Sequence, residues 1–453
     1  MNNNLKKFSL LIGDVAMLYL ALYFTLLIRY SAQINQELWQ GHFAPFSLVF
    51  VVWILIFYIS DLYNLSLAVS NSRFFQLTGR SLAIAALLSI AFFYLNPNIN
   101  IAPKTNMLIF VVVFAVLFFL WRQFFNWSLK SYLPKNNIAI IGFNNQAMEL
   151  ISELKQKPHL GYRVSFVISR DFDQNNIDHI PVFSKISDLK NLIKAKAINT
   201  VIIASDPHKS DELRNILFGC LELKVNYINL PNFYEDITGK IPIEVINQMW
   251  FLENLSRGSR SGFDFIKRIY DIVLALAVFI ITLPFWPIIA LIIKMESSGP
   301  AFFISRRAGK NYKNFKLIKF RTMREEGNDR SLTKVDDNRV TKFGKLMRTT
   351  RIDEVPQMIN VIKGEMSFVG PRPERPELIE ELQKQIPFYN ERTLVKPGVT
   401  GWDQISGEYH SPTREDTLKK LQYDLFYIKN RSIYLDLSII LKTIATILSQ
   451  GGR

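Results

Sequence analysis

Apolar positions cluster first in four long blocks, Phe8–Ile28, Phe46–Ile59, Ser81–Leu95 and Met107–Phe125. About 20 apolar residues are needed for a helix to cross a bilayer. The first and fourth blocks meet that length, and the second and third are marginal by themselves. Basic residues set the expected orientation. Lys6 and Lys7 precede the first block, Arg73 and Arg80 separate the second from the third, and Arg122, Lys130 and Lys135 follow the fourth. The other two loops carry little: His42 with Glu37, and Lys104. The excess of positive charge on cytoplasmic loops predicts that both ends of this bundle face the cytoplasm. Asp14, inside the first block, is expected to pair within the bundle.

From Asn137 to Leu230 the period changes. The segment IAIIGFNNQAMELISEL reads as strand, turn and helix, and YRVSFVIS, NTVIIAS and KVNYINL read as further strands with helical spacing between them. That alternation predicts a Rossmann-like parallel α/β layer. Its first turn is poor in dinucleotide chemistry. Gly142 is present, but Asn144 and Ala147 stand where the second and third glycines of the fingerprint belong. A structural or regulatory role is the favoured expectation for this layer. His159, His179 and His208 show no metal-ligand spacing.

A fifth apolar run, Ile269–Ile293, is long enough to span, but basic residues flank it on both sides: Lys267 and Arg268 before, Lys294, Arg306 and Arg307 after. Pro284 and Pro287 interrupt it in the middle. A helix that enters, bends and returns to the cytoplasmic side satisfies both features, with Lys267 and Arg268 at the membrane interface. The expected limits are 1–132 for a four-helix transmembrane bundle, 136–232 for the Rossmann-like layer and 233–262 for a polar linker. A mostly helical monotopic domain follows over 263–453, with the re-entrant helix over 265–295.

Composition sharpens this picture. Of 453 residues 49% are hydrophobic, and 54 basic against 39 acidic residues leave a net charge of +15. Such an excess suits lipid head groups, phosphorylated substrates or nucleic acid. Basic residues concentrate in SRRAGKNYKNFKLIKFRTMR (Ser305–Arg324), which contains no acidic residue. Its slight aromatic content and the lack of a recognition motif argue against nucleic acid. The single cysteine, Cys220, excludes intrachain disulfides and cysteine-based metal sites.

Candidate chemistry gathers at Arg351–Pro373, RIDEVPQMINVIKGEMSFVGPRP. Asp353 and Glu354 are adjacent, and Pro356 follows. Since proline belongs in a first turn, a helix is expected from near Asp353 to Ile362, ended by Gly364. Both carboxylates would then lie at a helix N-terminus, where N–H groups attract anions. Further on, Lys396–Gly407 (KPGVTGWDQISG) is a glycine-rich loop. Its Gly398, Thr400, Gly401 and Trp402 are candidates for holding a nucleotide base or phosphate. Tyr423, Phe426, Tyr427, Ile433, Tyr434 and Leu437 read as packing residues of a closing amphipathic helix pair.

These pieces, with KRIYD, LPFWPI, SGPAFFISRRAGKNYKNFKLIKFRTM, TKFGKLMRTTRIDEVPQMINVIKGEMSFVGPRPE and DLFYIKNRSIYLDLSIILKT, follow one another in the order of a known family. The C-terminal part resembles the bacterial sugar transferases, the polyprenyl-phosphate hexose-1-phosphate transferases, and the front part resembles their large form. The resemblance implies a bacterial inner-membrane enzyme, multi-pass, with its catalytic domain on the cytoplasmic face. Its substrates would be a UDP-hexose, UDP-galactose or UDP-glucose, and undecaprenyl phosphate, and it would act as a homodimer. It further implies that Asp353 is the nucleophile, that Glu354 serves Mg2+, and that Pro371, Arg372 and Pro373 line the phosphate site. Lys319 and Arg321 of the basic run are the expected additional phosphate contacts. At Ser305 and Arg306 the chain departs from the family's glutamine. Two other readings are a membrane-anchored nucleotide-sugar epimerase or dehydratase using the α/β layer, and a non-catalytic scaffold for polysaccharide assembly.

Overall fold

The computed structural model describes residues 3–30, 35–63, 72–96, 103–132, 136–169, 176–204, 210–246, 248–255, 261–324, 337, 339–406 and 413–448. Lys135, His208 and Gly407 lie outside them. The chain forms two compact units, Met1–Asn229 and Leu230–Arg453.

The first unit opens with helices α1 (Asn3–Arg29), α2 (Gln36–Ile59), α3 (Ser72–Leu95) and α4 (Pro103–Tyr132). Each contains a segment long and apolar enough to cross a membrane. The two marginal blocks gain this length because their helices start well before the apolar run, α2 from an Asn35 cap whose side chain accepts from Leu38 N. Aromatic residues at helical spacing form the seam. Phe46, Phe50, Trp53 and Phe57 of α2 meet Phe110, Phe114 and Phe118 of α4. Asp14 is fully buried and pairs with Arg122 at 2.7 Å, and Arg122 also donates to Leu62 O. Arg122 is therefore a bundle residue rather than a loop charge, since a buried carboxylate in an apolar bundle needs such a partner.

A parallel α/β layer completes this unit. Its strands are β1 (Asn136–Ile141), β2 (Tyr162–Ile168), β3 (Asn176–Ile177), β4 (Ile180–Phe183), β5 (Thr200–Ile203) and β6 (Asn226–Asn229), and α5 (Asn145–Gln156), α6 (Leu189–Ala195) and α7 (Asp211–Gly219) lie between them. The order is β3-β4-β2-β1-β5-β6, with every pairing parallel except β3 to β4. Strands β3 and β4 escape the sequence pattern because they are at most four residues long and Pro181 interrupts the edge. At the first turn Asn144 caps α5, its Oδ1 accepting from Ala147 N at 2.9 Å. The side chain thus takes up a donor that a pyrophosphate would need.

The second unit begins with α8 (Leu230–Thr238) and α9 (Gln248–Leu255). The segment expected as a polar linker is thus part of the fold: Ile241, Ile243 and Ile246 sit in its core beside Leu421 and Leu425. Next come α10 (Ser261–Thr282) and α11 (Trp286–Glu296), separated by a 3-10 turn at Leu283–Phe285. Pro284 lies in that turn and Pro287 in the first turn of α11, as the sequence predicts. Thr282 bridges the break, donating to Val278 O and accepting from Trp286 Nε1. The outward faces of both helices and of the turn between them are apolar, among them Phe265, Val273, Ile280, Phe285, Ile288 and Leu291.

The rest is an antiparallel hairpin of β7 (Phe302–Ala308) and β8 (Asn314–Phe320), then α12 (Lys342–Thr350), α13 (Met358–Lys363), β9 (Ser367–Val369), α14 (Pro376–Gln385), β10 (Gly398–Thr400), α15 (Arg414–Asn430) and α16 (Ile433–Leu448). Strands β9 and β10 pair in parallel. The fold is therefore four N-terminal apolar helices, a parallel α/β layer, and a largely helical C-terminal region with a long, broken apolar helix.

Candidate active site

The two acidic residues lie where α12 turns into α13. Arg351 ends α12 in a left-handed conformation, φ 55°. A non-glycine residue held there is strained, and such strain concentrates at functional sites. Ile352–Gln357 then form a 3-10 helix that carries Asp353 and Glu354, and α13 continues it for six residues to Gly364, whose φ is 85°. The expected α-helical N-terminus is therefore a tighter helix. Pro356 supplies no N–H, and no side chain caps the start. With so short a helix behind it, the charge that holds the carboxylates comes from side chains.

Those side chains are basic. Lys319 Nζ of β8 is 2.9 Å from Glu354 Oε1, Arg372 Nη2 is 3.0 Å from the same oxygen, and Arg351 Nη1 is 3.9 Å from Oε2. Arg348, one turn earlier on α12, is anchored by Thr322 Oγ1 and acts electrostatically on Asp353. Strand alternation explains Lys319. It shares the inward face of β8 with the buried Phe315 and Leu317. Asn360 of α13 fixes the hairpin by accepting from Ile318 N and donating to Lys316 O.

Adjacent carboxylates thus meet different environments. Glu354 is 6% exposed, and its cations hold it far below the ordinary carboxylate range even though burial opposes them. Asp353 is 8% exposed, and among the described residues no hydrogen bond reaches its carboxylate. Burial, with Glu354 beside it, pushes its pKa up to about 6, against the opposing pull of Lys319, Arg372 and Arg348. One group is pinned and permanently ionised, and the other is desolvated and unbonded. Divergent environments of this kind assign different roles to two like groups. Burial also lowers the pKa values of Lys319, Arg348 and Arg351. Four cations face two carboxylates, a surplus that an anionic ligand would relieve.

Pro371-Arg372-Pro373 leaves β9 and delivers Arg372 to Glu354. The Arg372 side chain keeps 38% of its surface open, so it can meet a ligand without leaving Glu354. Arg307 of β7 lies behind it, donating to Pro373 O at 3.4 Å. Lys319, Asp353, Glu354, Arg372 and the flanking prolines therefore come together as the sequence predicts. Arg348 and Arg351 were not singled out by sequence, because no motif marks an arginine that acts from the preceding helix.

Other candidates do not join the cluster. Arg321 donates to Ser297 O and Ser298 O just after α11, so it fastens the end of the apolar helix. Lys267 is buried against Asp436, and Arg268 donates to Val361 O and Ile362 O at the end of α13. Neither is a free interfacial charge, because the first turns of α10 pack on α13 and α16 and need partners there. The glycine-rich loop is structural as well. A Cβ at Gly398 would lie 2.1 Å from Gly370 N, and one at Gly401 2.6 Å from Gly370 O. Thr400 is buried against Thr443, while Trp402 donates to Gly239 O and stacks on Phe426. The loop's glycines allow close backbone approach, and Trp402 is not available to stack on a base.

No group of three or more metal-ligating side chains occurs among the described residues. Mg2+ is commonly held by one or two carboxylates together with substrate phosphate oxygens. Glu354 fits that mode, since Oε1 takes both short cation contacts and Oε2 has only the longer one to Arg351.

A buried carboxylate dyad under a surplus of cations lies beside a broken apolar helix, an arrangement that suits an anionic ligand next to a membrane-compatible surface. The bacterial sugar transferase pattern matches residues 263–450, and a CoA-binding domain pattern matches residues 58–231. A UDP-glucose:undecaprenyl-phosphate glucose-1-phosphate transferase of Klebsiella pneumoniae is 30% identical over 448 residues, 97% of this chain and 94% of that protein. A protein of the same description from Escherichia coli K12 is 30% identical over 329 residues, 70% of this chain and 69% of its own. A UDP-N-acetylgalactosamine-undecaprenyl-phosphate N-acetylgalactosaminephosphotransferase of Aeromonas hydrophila is 36% identical over 249 residues, which are 54% of this chain and 58% of that relative. The chain belongs to the bacterial sugar transferase family.

Proposed function

We propose that the protein transfers a hexose 1-phosphate from a UDP-hexose, UDP-glucose or UDP-galactose, to undecaprenyl phosphate, releasing UMP. The product is undecaprenyl-diphosphate-hexose, the starting lipid of an exopolysaccharide, capsule or O-antigen. The observation that carries this reading is the Asp353–Glu354 pair. A desolvated, unbonded carboxylate sits against one pinned by Lys319 and Arg372, in a pocket with more positive than negative charge.

Asp353 is the nucleophile in this reading. Its ionised Oδ forms a bond to the sugar-bearing phosphorus, and the bond from that phosphorus to the oxygen of the uridine phosphate breaks. UMP leaves with the electron pair. An oxygen of the lipid phosphate then attacks the same phosphorus, and the Asp353 oxygen departs as a carboxylate. The sugar–oxygen bond persists throughout, so anomeric configuration is retained. Splitting one displacement into two implies ping-pong kinetics. Arg372, Lys319, Arg348 and Arg351 would offset the charge of the diphosphate as it approaches an anionic carboxylate. Mg2+, held at Glu354, would supply further neutralisation of the phosphoryl oxygens.

A soluble donor and a bilayer-borne acceptor require a site at the membrane surface. Both ends of the broken apolar helix support this placement. Lys267 and Arg268 tie its start to α16 and α13, while Glu296 accepts from Phe343 N and Arg321 holds Ser297 and Ser298 at its end. A straight helix over Gly262–Glu296 would separate its ends by about 50 Å. Attachment of both ends to one body favours a helix that dips into the bilayer and returns, with the catalytic region on the cytoplasmic face. The test is UMP release by the purified protein with undecaprenyl phosphate and Mg2+ across a panel of UDP-sugars. Release with one UDP-hexose above the others is expected; no release with any would refute the reading.

A further inference from the structure

A second buried charge cluster, which the chemistry above does not use, meets Arg372 at its main-chain carbonyl. Arg392 follows α14 in a 3-10 segment and is 4% exposed. Its Nη2 donates to the main-chain carbonyl of Arg372 at 3.0 Å and to Asp424 Oδ2 at 2.8 Å. Its Nη1 donates to Tyr389 Oη at 2.8 Å and lies 3.7 Å from Glu374. Glu374, two residues beyond Arg372, is paired in turn with Lys420 of α15. Asp403 adds negative charge nearby.

The placement has a specific consequence. Arg372 stands on a loop between two prolines, and among the described residues no main-chain N–H donates to its carbonyl. A guanidinium is planar and offers donors at fixed angles. By holding Asp424 and the Arg372 carbonyl through one nitrogen, Arg392 fixes the loop's main chain relative to the rigid α15. We propose that Arg392 is a positioning residue for the transfer reaction, acting through the Arg372 main chain to hold that side chain at the phosphate site. This rests on the assignment of Arg372 to phosphate binding in the proposed reaction.

Lysine at this position would keep the charge for Asp424 but could not serve both acceptors in the same geometry. Partners that orient metal ligands from behind alter function by about 10- to 100-fold when replaced, and a loss on that scale is expected for a guanidinium that orients Arg372. A double-mutant cycle separates positioning from mere structure, because residues acting through one another are not additive. Arg392→Lys is expected to lower kcat/KM for the UDP-sugar by about tenfold or more in the wild-type background. In the Arg372→Ala background the same change is expected to cost less than about twofold. Arg392→Met combined with Asp424→Asn removes both buried charges together and should give the same pattern. Equal losses in both backgrounds, or no loss in the wild type, would overturn the proposal. So would failure of both variants to show a cooperative melting transition, which would assign the cluster to folding alone. If the wild-type protein itself releases no UMP, the fault lies with the proposed reaction and not with Arg392.

Discussion

At the scale of single residues the account turns on two neighbours made unlike. Asp353 carries a pKa pushed up to about 6 from an ordinary 3.8, and in the proposed reaction it must be ionised to attack. The free enzyme's kcat/KM should therefore fall as pH drops through about 6, and the decline should vanish from single-turnover rates that bypass formation of the intermediate. The same shift has a stability consequence. A folded-state pKa above the unfolded value means that the native protein disfavours the charged form. The penalty is absent below about pH 4, grows between 4 and 6, and is complete above 6. At 1.36 kcal/mol per unit it reaches up to about 3 kcal/mol. Asp353→Asn should accordingly melt higher than the wild type at pH 8 and equally at pH 4. Glu354 behaves in the opposite sense. Replacing it with Gln leaves Lys319 and Arg372 without their anion, and removing one partner of a buried pair is strongly destabilising, by about 3 kcal/mol. A lowered melting temperature for Glu354→Gln, beside a raised one for Asp353→Asn, would display the asymmetry directly. Replacing Arg372 with Ala should lower kcat by about 100- to 1000-fold, the range for one lost transition-state donor.

Residue identities at the site were legible in the sequence, but their partners were less so. Asp353, Glu354 and Arg372 stand in a recognisable stretch. Lys319 could be read from strand alternation, because it occupies the same parity as Phe315 and Leu317 in NFKLIKF. Arg321 has the same parity but lies past the strand end, where the chain turns and takes it to Ser297 and Ser298. Arg348 and Arg351 carried no such signal, since their reach depends on a left-handed turn at Arg351 that no residue preference predicts.

At the scale of elements, α10 organises the C-terminal unit. Within its first turns Arg268 holds the last carbonyls of α13, and Asp271 accepts from Ser367 Oγ and Phe368 N of β9. One helix therefore steadies both the segment after the dyad and the strand that leads to Arg372. Cationic capping of terminal carbonyls contributes about 1 kcal/mol in partly buried settings. Arg268→Gln should lower the melting temperature and also reduce kcat, whereas a residue that only contacts head groups would leave the melting of detergent-purified protein unchanged. The prolines that break this helix were plain in the sequence. Its basic residues misled, because charge beside an apolar run resembles an interfacial anchor until the packing partners are known.

At the scale of the whole molecule, the four N-terminal helices and the alternating α/β layer were read correctly in type and order. Periodicity sustained over long segments dictates them. The segment 233–262 was not, since its helices are short and separated by turn residues, so its apolar positions show their role only against the core that holds Ile241, Ile243 and Ile246. The cytoplasmic placement proposed for the catalytic region can be measured. Cys220 is buried and is the only cysteine, so Cys220→Ser gives a clean background. In spheroplasts, Gly262→Cys and Ser298→Cys should both resist an impermeant thiol reagent applied from outside. Labelling of Ser298→Cys alone would show a helix that spans.

The most direct test of the central claim is to trap the sugar phosphate on the protein. Purified wild type incubated with a UDP-hexose labelled at the sugar-bearing phosphate, with Mg2+ and without lipid acceptor, should retain label through denaturation and release it when undecaprenyl phosphate is supplied beforehand. The Asp353→Asn variant should retain none. Equal label on both proteins, or none on a wild type that still turns over with lipid present, would contradict covalent catalysis by Asp353.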